Sequence, residues 1–240
     1  MDISRLTASL PLIAPSLLAA DFAHLAQDIR TLEEAGAEIL HLDIMDGHFV
    51  PNLSFGVPVV EAIRRTTGLL LDVHLMLQNP EPYLSVFRKA GADMLSIHIE
   101  VAPDPRSMFD KIRQLGALPG LVSNPPTPVE TMLPFVNECD LVLTMGVMAG
   151  FGGQLFNPGV LSKIRVIREC TPPETLISVD GGVGETTIAD ITAAGANMFV
   201  TGTALFGKPD VPAQFRHLRQ LAAHDYKGNA SPLASRRKNR

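Results

Sequence analysis

Short apolar runs recur along the chain at near-even spacing: residues 12–17, 38–44, 69–75, 93–99, 117–123, 140–145, 175–180 and 197–201. They are five to seven residues long and do not alternate strictly with polar positions. That pattern predicts strands covered on both faces, as in a parallel sheet. Between the runs the period changes to that of a helix. In "FAHLAQDIRTLEEAG", Leu25, Ile29 and Leu32 share one face, and in "EPYLSVFRKAG" Tyr83, Leu84 and Phe87 fall at a similar spacing. A recurring phrase punctuates the change: a helical segment ends, a glycine follows, then an apolar run, then polar residues. Gly36, Gly91, Gly116 and Gly195 hold the glycine position, which suits the left-handed residue just past a helix C-terminus.

With helices predicted between the strands and after the last, eight alternations in about 225 residues give the arithmetic of a (β/α)₈ barrel, the TIM barrel. A doubly wound sheet would carry a glycine-rich turn after its first strand. Here that strand ends in "PSLLAADF", which has no glycine. No linker interrupts the pattern. We therefore expect one α/β domain over 12–224, a lead-in at 1–11 and a basic, solvated tail at 225–240.

Composition narrows the classes. The 240 residues are 46% hydrophobic and 19% charged, as in an ordinary globular protein. The net charge is −5, and the last sixteen residues alone carry +4, leaving −9 on the rest. No basic stripe falls on a predicted element, which argues against a nucleic-acid partner. No apolar run reaches the ~20 residues that span a bilayer, so no membrane association is expected. "LTASLPLIAPSLLAA" superficially resembles a secretion signal, but two prolines interrupt it and it carries the first strand. Cys139 and Cys170 lie far apart in apolar contexts, which points to two buried thiols in a reducing, cytoplasmic setting.

In this architecture chemistry gathers at the C-terminal ends of the strands, and the unusual polar residues fall there. Strand two carries His41 and Asp43, strand three Asp72 and His74, strand four His98 and Glu100, and strand seven ends at Asp180. Residues i and i+2 of a strand face the same way, so His41 and Asp43 project together into the barrel mouth, where His74 and Asp180 can join them. Two readings of each residue stand: a core histidine or capping aspartate satisfied by neighbours, or a ligand. For the four together the ligand reading is preferred. A mixed nitrogen and oxygen set suits one divalent ion, namely zinc, iron, manganese or cobalt. His98 stands equally as a pocket residue or a satisfied core histidine, and Asp72 is read as a buried hydrogen-bond acceptor. Met45, Met76 and Met145 lie near the same ends and could form an apolar floor.

Three glycine-rich segments follow the last three strands: "AGFGGQLFNPG", "DGGVGETT" and "TGTALFG". Loops after strands seven and eight commonly bind phosphate in this fold. Backbone N–H groups near Gly181, Gly182, Gly202 and Thr203 are therefore expected to hold an anionic group, unless the glycines serve only tight turns.

"IAPSLLAADF", "HLDIMDGHFVPN", "DVHLM", "GFGGQ", "SVDGGV" and "TGTALF" resemble, in that order, the ribulose-phosphate 3-epimerase family over about residues 12–207. The resemblance implies a metal-dependent barrel that interconverts D-ribulose 5-phosphate and D-xylulose 5-phosphate through a metal-stabilised enediolate. It implies that His41, Asp43, His74 and Asp180 are the metal ligands, and that Asp43 and Asp180 are also the acid/base pair. It implies substrate contacts from Ser16, His74, Gly150, Phe151, Gly152, Gly153, Asp180, Gly181, Gly182, Gly202 and Thr203, and a homo-oligomeric assembly. Gly146, Met148, Ala149 and Ser123 depart from the family's usual residues. Three rivals remain: a 3-epimerase for another ketose phosphate such as D-allulose 6-phosphate, a metal-free lyase with a barrel lysine, and a non-catalytic sugar-phosphate binder. No lysine lies within the predicted strands, and a binder needs no acid/base pair.

Overall fold

The structure, a computed structural model, describes residues 4–226. The predicted tail lies outside the described residues except for its first two positions. Eight strands follow in order: β1 (Leu12–Pro15), β2 (Ile39–Met45), β3 (Leu70–Met76), β4 (Met94–His98), β5 (Leu118–Ser123), β6 (Leu141–Met145), β7 (Leu176–Asp180) and β8 (Met198–Thr201). All paired neighbours run parallel, β2 to β8 in sequence order with β8 beside β1. The ring closes through a parallel bridge between Ser16, just past β1, and His41 in β2. Each predicted strand lies within two or three residues of an observed one, because burial on both faces is what the apolar runs recorded.

Helices α1 (Ser4–Thr7), α2 (Leu25–Ala35), α3 (Val57–Thr66), α4 (Leu84–Ala90), α5 (Arg106–Gln114), α6 (Val160–Cys170), α7 (Ile188–Ala194), α8 (Thr203–Phe206) and α9 (Val211–Asp225) cover the barrel. One expected helix is missing. Between β5 and β6 the described residues hold only a 3₁₀ turn, Val129–Thr131. Pro125, Pro126, Pro128 and Pro134 remove the backbone donors a longer helix would need there. Tyr83 also differs from expectation. It sits half-exposed in the 3₁₀ turn Glu81–Tyr83, and α4 buries Leu84, Phe87 and Ala90 instead. Cys139 is buried, and burial pushes its thiol up to about 12. Cys170, expected to be buried, is exposed at the last position of α6.

The barrel interior is layered. Leu12, Ile39, Met94, Leu118, Leu141, Leu176 and Met198, from the starts of seven strands, pack together with Leu6 of α1 at the N-terminal end. The C-terminal end is polar on the β2–β3 side. Register there sets His41 beside Asp72 and Asp43 beside His74.

On the opposite face the recurring glycine phrase acquires a second reason. Gly36, Gly91, Gly116 and Gly195 all have positive φ, between 78° and 121°. At two of them an arginine lies across the missing side chain. Arg64 donates to the Thr67 and Leu69 carbonyls and pairs with Asp93 at 3.0 Å. Arg168 donates to the Gly195 carbonyl at 3.1 Å and the Thr175 carbonyl at 2.8 Å. A Cβ at Gly91 would fall 2.4 Å from Arg64, and one at Gly195 would fall 2.7 Å from Arg168. At Gly116 the nearest atom is 3.9 Å away.

Gly116→Ala should therefore carry only the left-handed backbone cost, about 1 kcal/mol. Gly91→Ala should lose about 2 kcal/mol or more, since the clash with Arg64 adds to it. Urea denaturation of both variants checks this; equal losses would show that Arg64 yields freely.

Candidate active site

The strands bring His41, Asp43, His74 and Asp180 together. One ligand atom from each lies within 4.8 Å of all the others. Asp43 is central: its Oδ1 is 3.2 Å from both His41 Nε2 and His74 Nδ1. Asp180 enters from the far side on β7, with Oδ2 3.9 Å from His41 Nε2 and 3.8 Å from His74 Nδ1. The second oxygen of Asp43 accepts a 2.7 Å hydrogen bond from Ser16 Oγ. Ser16 can reach it because the closing bridge of the barrel fixes Ser16 beside His41.

Each imidazole is held from behind. His41 Nδ1 is 2.7 Å from Asp72 Oδ2, so the residue read as a structural acceptor orients a candidate ligand. His74 Nε2 is 2.8 Å from His98 Nε2, and His98 Nδ1 is 3.0 Å from Glu100. His98, open to two readings in the sequence, is fully buried and hydrogen-bonded on both ring nitrogens.

Electrostatics divides the two carboxylates. Burial disfavours the charged form of Asp43, but the imidazoles of His41 and His74 overcome it and hold the carboxyl well below its usual range. Asp180 moves the other way, up to about 6, because it is buried and faces the Asp43 charge. Burial also opposes the charge on His41, yet the Asp43 and Asp72 carboxylates raise it well above its ordinary value. Two buried imidazoles and two carboxylates converging from three strands, with ring orientation fixed from behind, fit a divalent cation in their donor chemistry and spacing.

A cleft of about 620 Å³ opens above the cluster. Ser16, Asp43, Asp180, Gly150 to Gly153, Gly181, Gly182, Gly202 and Thr203 line it. His41 and His74 lie beneath, both fully buried. Met45, Met76 and Met145 line the cleft as a buried apolar floor. The glycines serve more than ligand approach. A Cβ at Gly181 would meet Val147 at 2.4 Å, and one at Gly182 would meet the Phe156 backbone at 2.6 Å. The unusual Gly146 has the same kind of reason, since its Cβ would fall 2.2 Å from the Gly181 carbonyl.

The segment after β6 is anchored at several points. Asn52 Nδ2 donates to the Gly150 carbonyl at 2.7 Å, and Gln154 Nε2 donates to the Met148 and Phe151 carbonyls, both at 2.8 Å. The Ala149 N–H donates to Asn124 Oδ1 at 3.1 Å. The unusual Ser123 is buried as a partner for Lys163 of α6, whose Nζ donates to its Oγ at 3.2 Å and to the Asn124 carbonyl at 2.8 Å. Asn52, Asn124 and Lys163 escaped the sequence reading. For Lys163 a signal existed: it falls on the apolar stripe of Val160, Ile164 and Ile167.

Known proteins resemble this chain across the whole barrel. The profile of the Ribulose-phosphate 3 epimerase family matches residues 12–206. A ribulose-phosphate 3-epimerase of Bacillus subtilis is 46% identical over 202 residues, 82% of this chain and 93% of that protein. One of Mycobacterium bovis is 42% identical over 215 residues, 88% of this chain and 93% of that protein. Among solved structures, 3-hexulose-6-phosphate synthase from Salmonella typhimurium is similar with a TM-score of 0.69, covering 89% of this chain and 99% of that one. At 12% identity that likeness carries the barrel alone. No helix among the described residues is long and apolar enough to cross a membrane.

Because His41 is protonated well above its ordinary pKa, its Nε2 must shed a proton before it can bind a cation. Metal affinity of the metal-free protein should therefore rise with pH, roughly tenfold between pH 6.5 and 8. Chelator-competition titrations with Co²⁺ at the two values test this; a flat response would contradict the assigned charge on His41.

Proposed function

The chain belongs to the ribulose-phosphate 3-epimerase family, and we propose that it interconverts D-ribulose 5-phosphate and D-xylulose 5-phosphate with Asp43 and Asp180 as the two proton-transfer groups. The observation that carries this is the paired but unequal carboxylates at the base of the cleft. They face each other from β2 and β7 across a space lined by glycines, and their pKa values are driven apart. Epimerisation at C3 requires a proton to leave one face of the carbon and another to arrive on the opposite face. Asp43, held ionised, is fitted to take the first proton. Asp180, raised to about 6, can present one from across the barrel. In the reverse direction the two exchange roles.

His41, Asp43, His74 and Asp180 would hold a divalent cation, zinc, iron, manganese or cobalt. When bound, it supplies positive charge against the negative charge that develops on the enediolate oxygens. Ser16 fixes the plane of Asp43 by donating to its Oδ2. Met45, Met76 and Met145 keep the floor dry, which strengthens every interaction with developing charge. Backbone N–H groups around Gly181, Gly182, Gly202 and Thr203 would receive the phosphate, while Gly150 to Gly153 cover the sugar. A cytoplasmic setting goes with this reading, supported by the unpaired Cys139 and Cys170.

Asp43→Asn and Asp180→Asn should each lower kcat by roughly 10³-fold or more with the fold retained, since each removes one half of the proton transfer. Deuterium from solvent should enter at C3 during turnover by the unmodified enzyme. Near-normal kcat in either variant would end the two-base scheme. Exhaustive chelation should abolish activity and added Mn²⁺, Co²⁺ or Zn²⁺ should restore it; activity that survives chelation would remove the metal from the reading. A higher kcat/KM for D-allulose 6-phosphate than for D-ribulose 5-phosphate would reassign the substrate.

A further inference from the structure

The two candidate histidine ligands are supported by different means. His41 has a carboxylate directly behind it: Nδ1 lies 2.7 Å from Asp72. His74 has none, and its outer nitrogen meets another imidazole, His98. An imidazole can accept or donate there, so His98 alone does not settle which nitrogen of His74 carries a proton. The next group does settle it. Glu100 accepts from three donors: His98 Nδ1 at 3.0 Å, the Asn124 backbone N–H at 2.7 Å, and the Thr127 hydroxyl. We propose that Glu100 is a positioning residue for the metal centre, fixing through His98 the tautomer of His74 that leaves Nδ1 free to bind a cation.

The logic is one of donors and acceptors. A carboxylate accepts only, so His98 carries its proton on Nδ1. Its Nε2 is then a lone pair and accepts from His74 Nε2–H. With that proton held on Nε2, Nδ1 of His74, the nitrogen facing Asp43 and Asp180, is the one left to bind a cation in place of the hydrogen bond it makes to Asp43. The two imidazoles are sealed from water, and Glu100 forms the partly exposed outer end of the relay. His74 and His98 are fully buried, and the Phe49 ring packs over His98 with centroids 4.5 Å apart. The His98 ring is wholly buried, and the acceptor-only carboxylate of Glu100 faces its Nδ1 while two further donors hold that carboxylate in place. A neutral imidazole between an imidazole and a carboxylate has this one consistent arrangement.

The inference rests on the metal-centre reading above, and Glu100→Gln tests it. The carboxamide matches the carboxylate in shape but must place an amide donor somewhere. The Asn124 N–H is a backbone donor that cannot be inverted, so it keeps the amide oxygen on its side. The NH₂ then faces His98 Nδ1 and reverses the chain, driving a proton onto His74 Nδ1. Metal-free Glu100→Gln should unfold at a temperature close to that of the unmodified protein. Its Co²⁺ affinity by chelator competition should fall 10- to 100-fold, and the ¹⁵N shifts of His98 should report the Nε2–H form in place of Nδ1–H. Glu100→Asp keeps an acceptor and should retain most of the affinity. Thr127→Val loosens Glu100 without supplying a donor and should change affinity less than threefold. A merely structural role would instead move both of these with Glu100→Gln.

Co²⁺ affinity of Glu100→Gln within twofold of the unmodified protein, or His98 remaining Nδ1–H in that variant, would overturn the proposal. Failure of the unmodified protein to bind Co²⁺ would overturn the metal-centre reading instead, and the nitrogen shifts of the metal-free proteins would still decide whether Glu100 sets the tautomer.

Discussion

A carboxylate taken out of water must be met by positive charge or by hydrogen-bond donors, and the C-terminal end of this barrel is arranged around that requirement. Asp43 is 3% exposed and sits in a strand whose other residues, His41 apart, are Ile, Leu and Met. Its two oxygens are met by His41, His74 and Ser16, each from a different strand or strand end. Those partners depend on register: β3 must pair with β2 so that His74 falls opposite Asp43, and β1 must close the ring so that Ser16 falls opposite His41. A slip of one residue in either pairing would turn the partner outward toward the helices. Barrel closure and site assembly are thus one event.

Most of this was legible in the sequence because both-face burial writes long apolar runs, and polar residues within such runs stand out. His41, Asp43, Asp72 and His74 were visible for that reason, and their i,i+2 spacing fixed which way they point. What escaped was held by partners distant in sequence. Lys163 is a helix residue whose acceptors lie about forty positions earlier, at Ser123 and Asn124. Asn124 looks like an ordinary loop residue until its backbone N–H is found on Glu100 and its side chain on the Ala149 amide. The expected helix between β5 and β6 failed because alternation of elements was extended across four prolines. Cys170 was misread because it is the last residue of α6, where Thr171 rather than Cys170 takes the buried place after Ile167.

The glycines carry a separate lesson. A glycine-rich loop beside a presumed anion site invites one explanation for every glycine in it. Here Gly146, Gly181 and Gly182 are also required by the close packing of the segments after β6 and β7, whether or not a ligand is present. Gly152 has nothing within 4 Å of its missing side chain, so packing does not explain it. Sequence pattern alone could not separate these cases, since the contacts join residues about thirty positions apart.

The hydrogen bond from Asn52 to the Gly150 carbonyl joins segments that leave β2 and β6, strands on nearly opposite sides of the ring. A tie across the rim means that neither segment can shift without drawing on the other, so two opposite walls of the barrel share one lip through a single amide side chain.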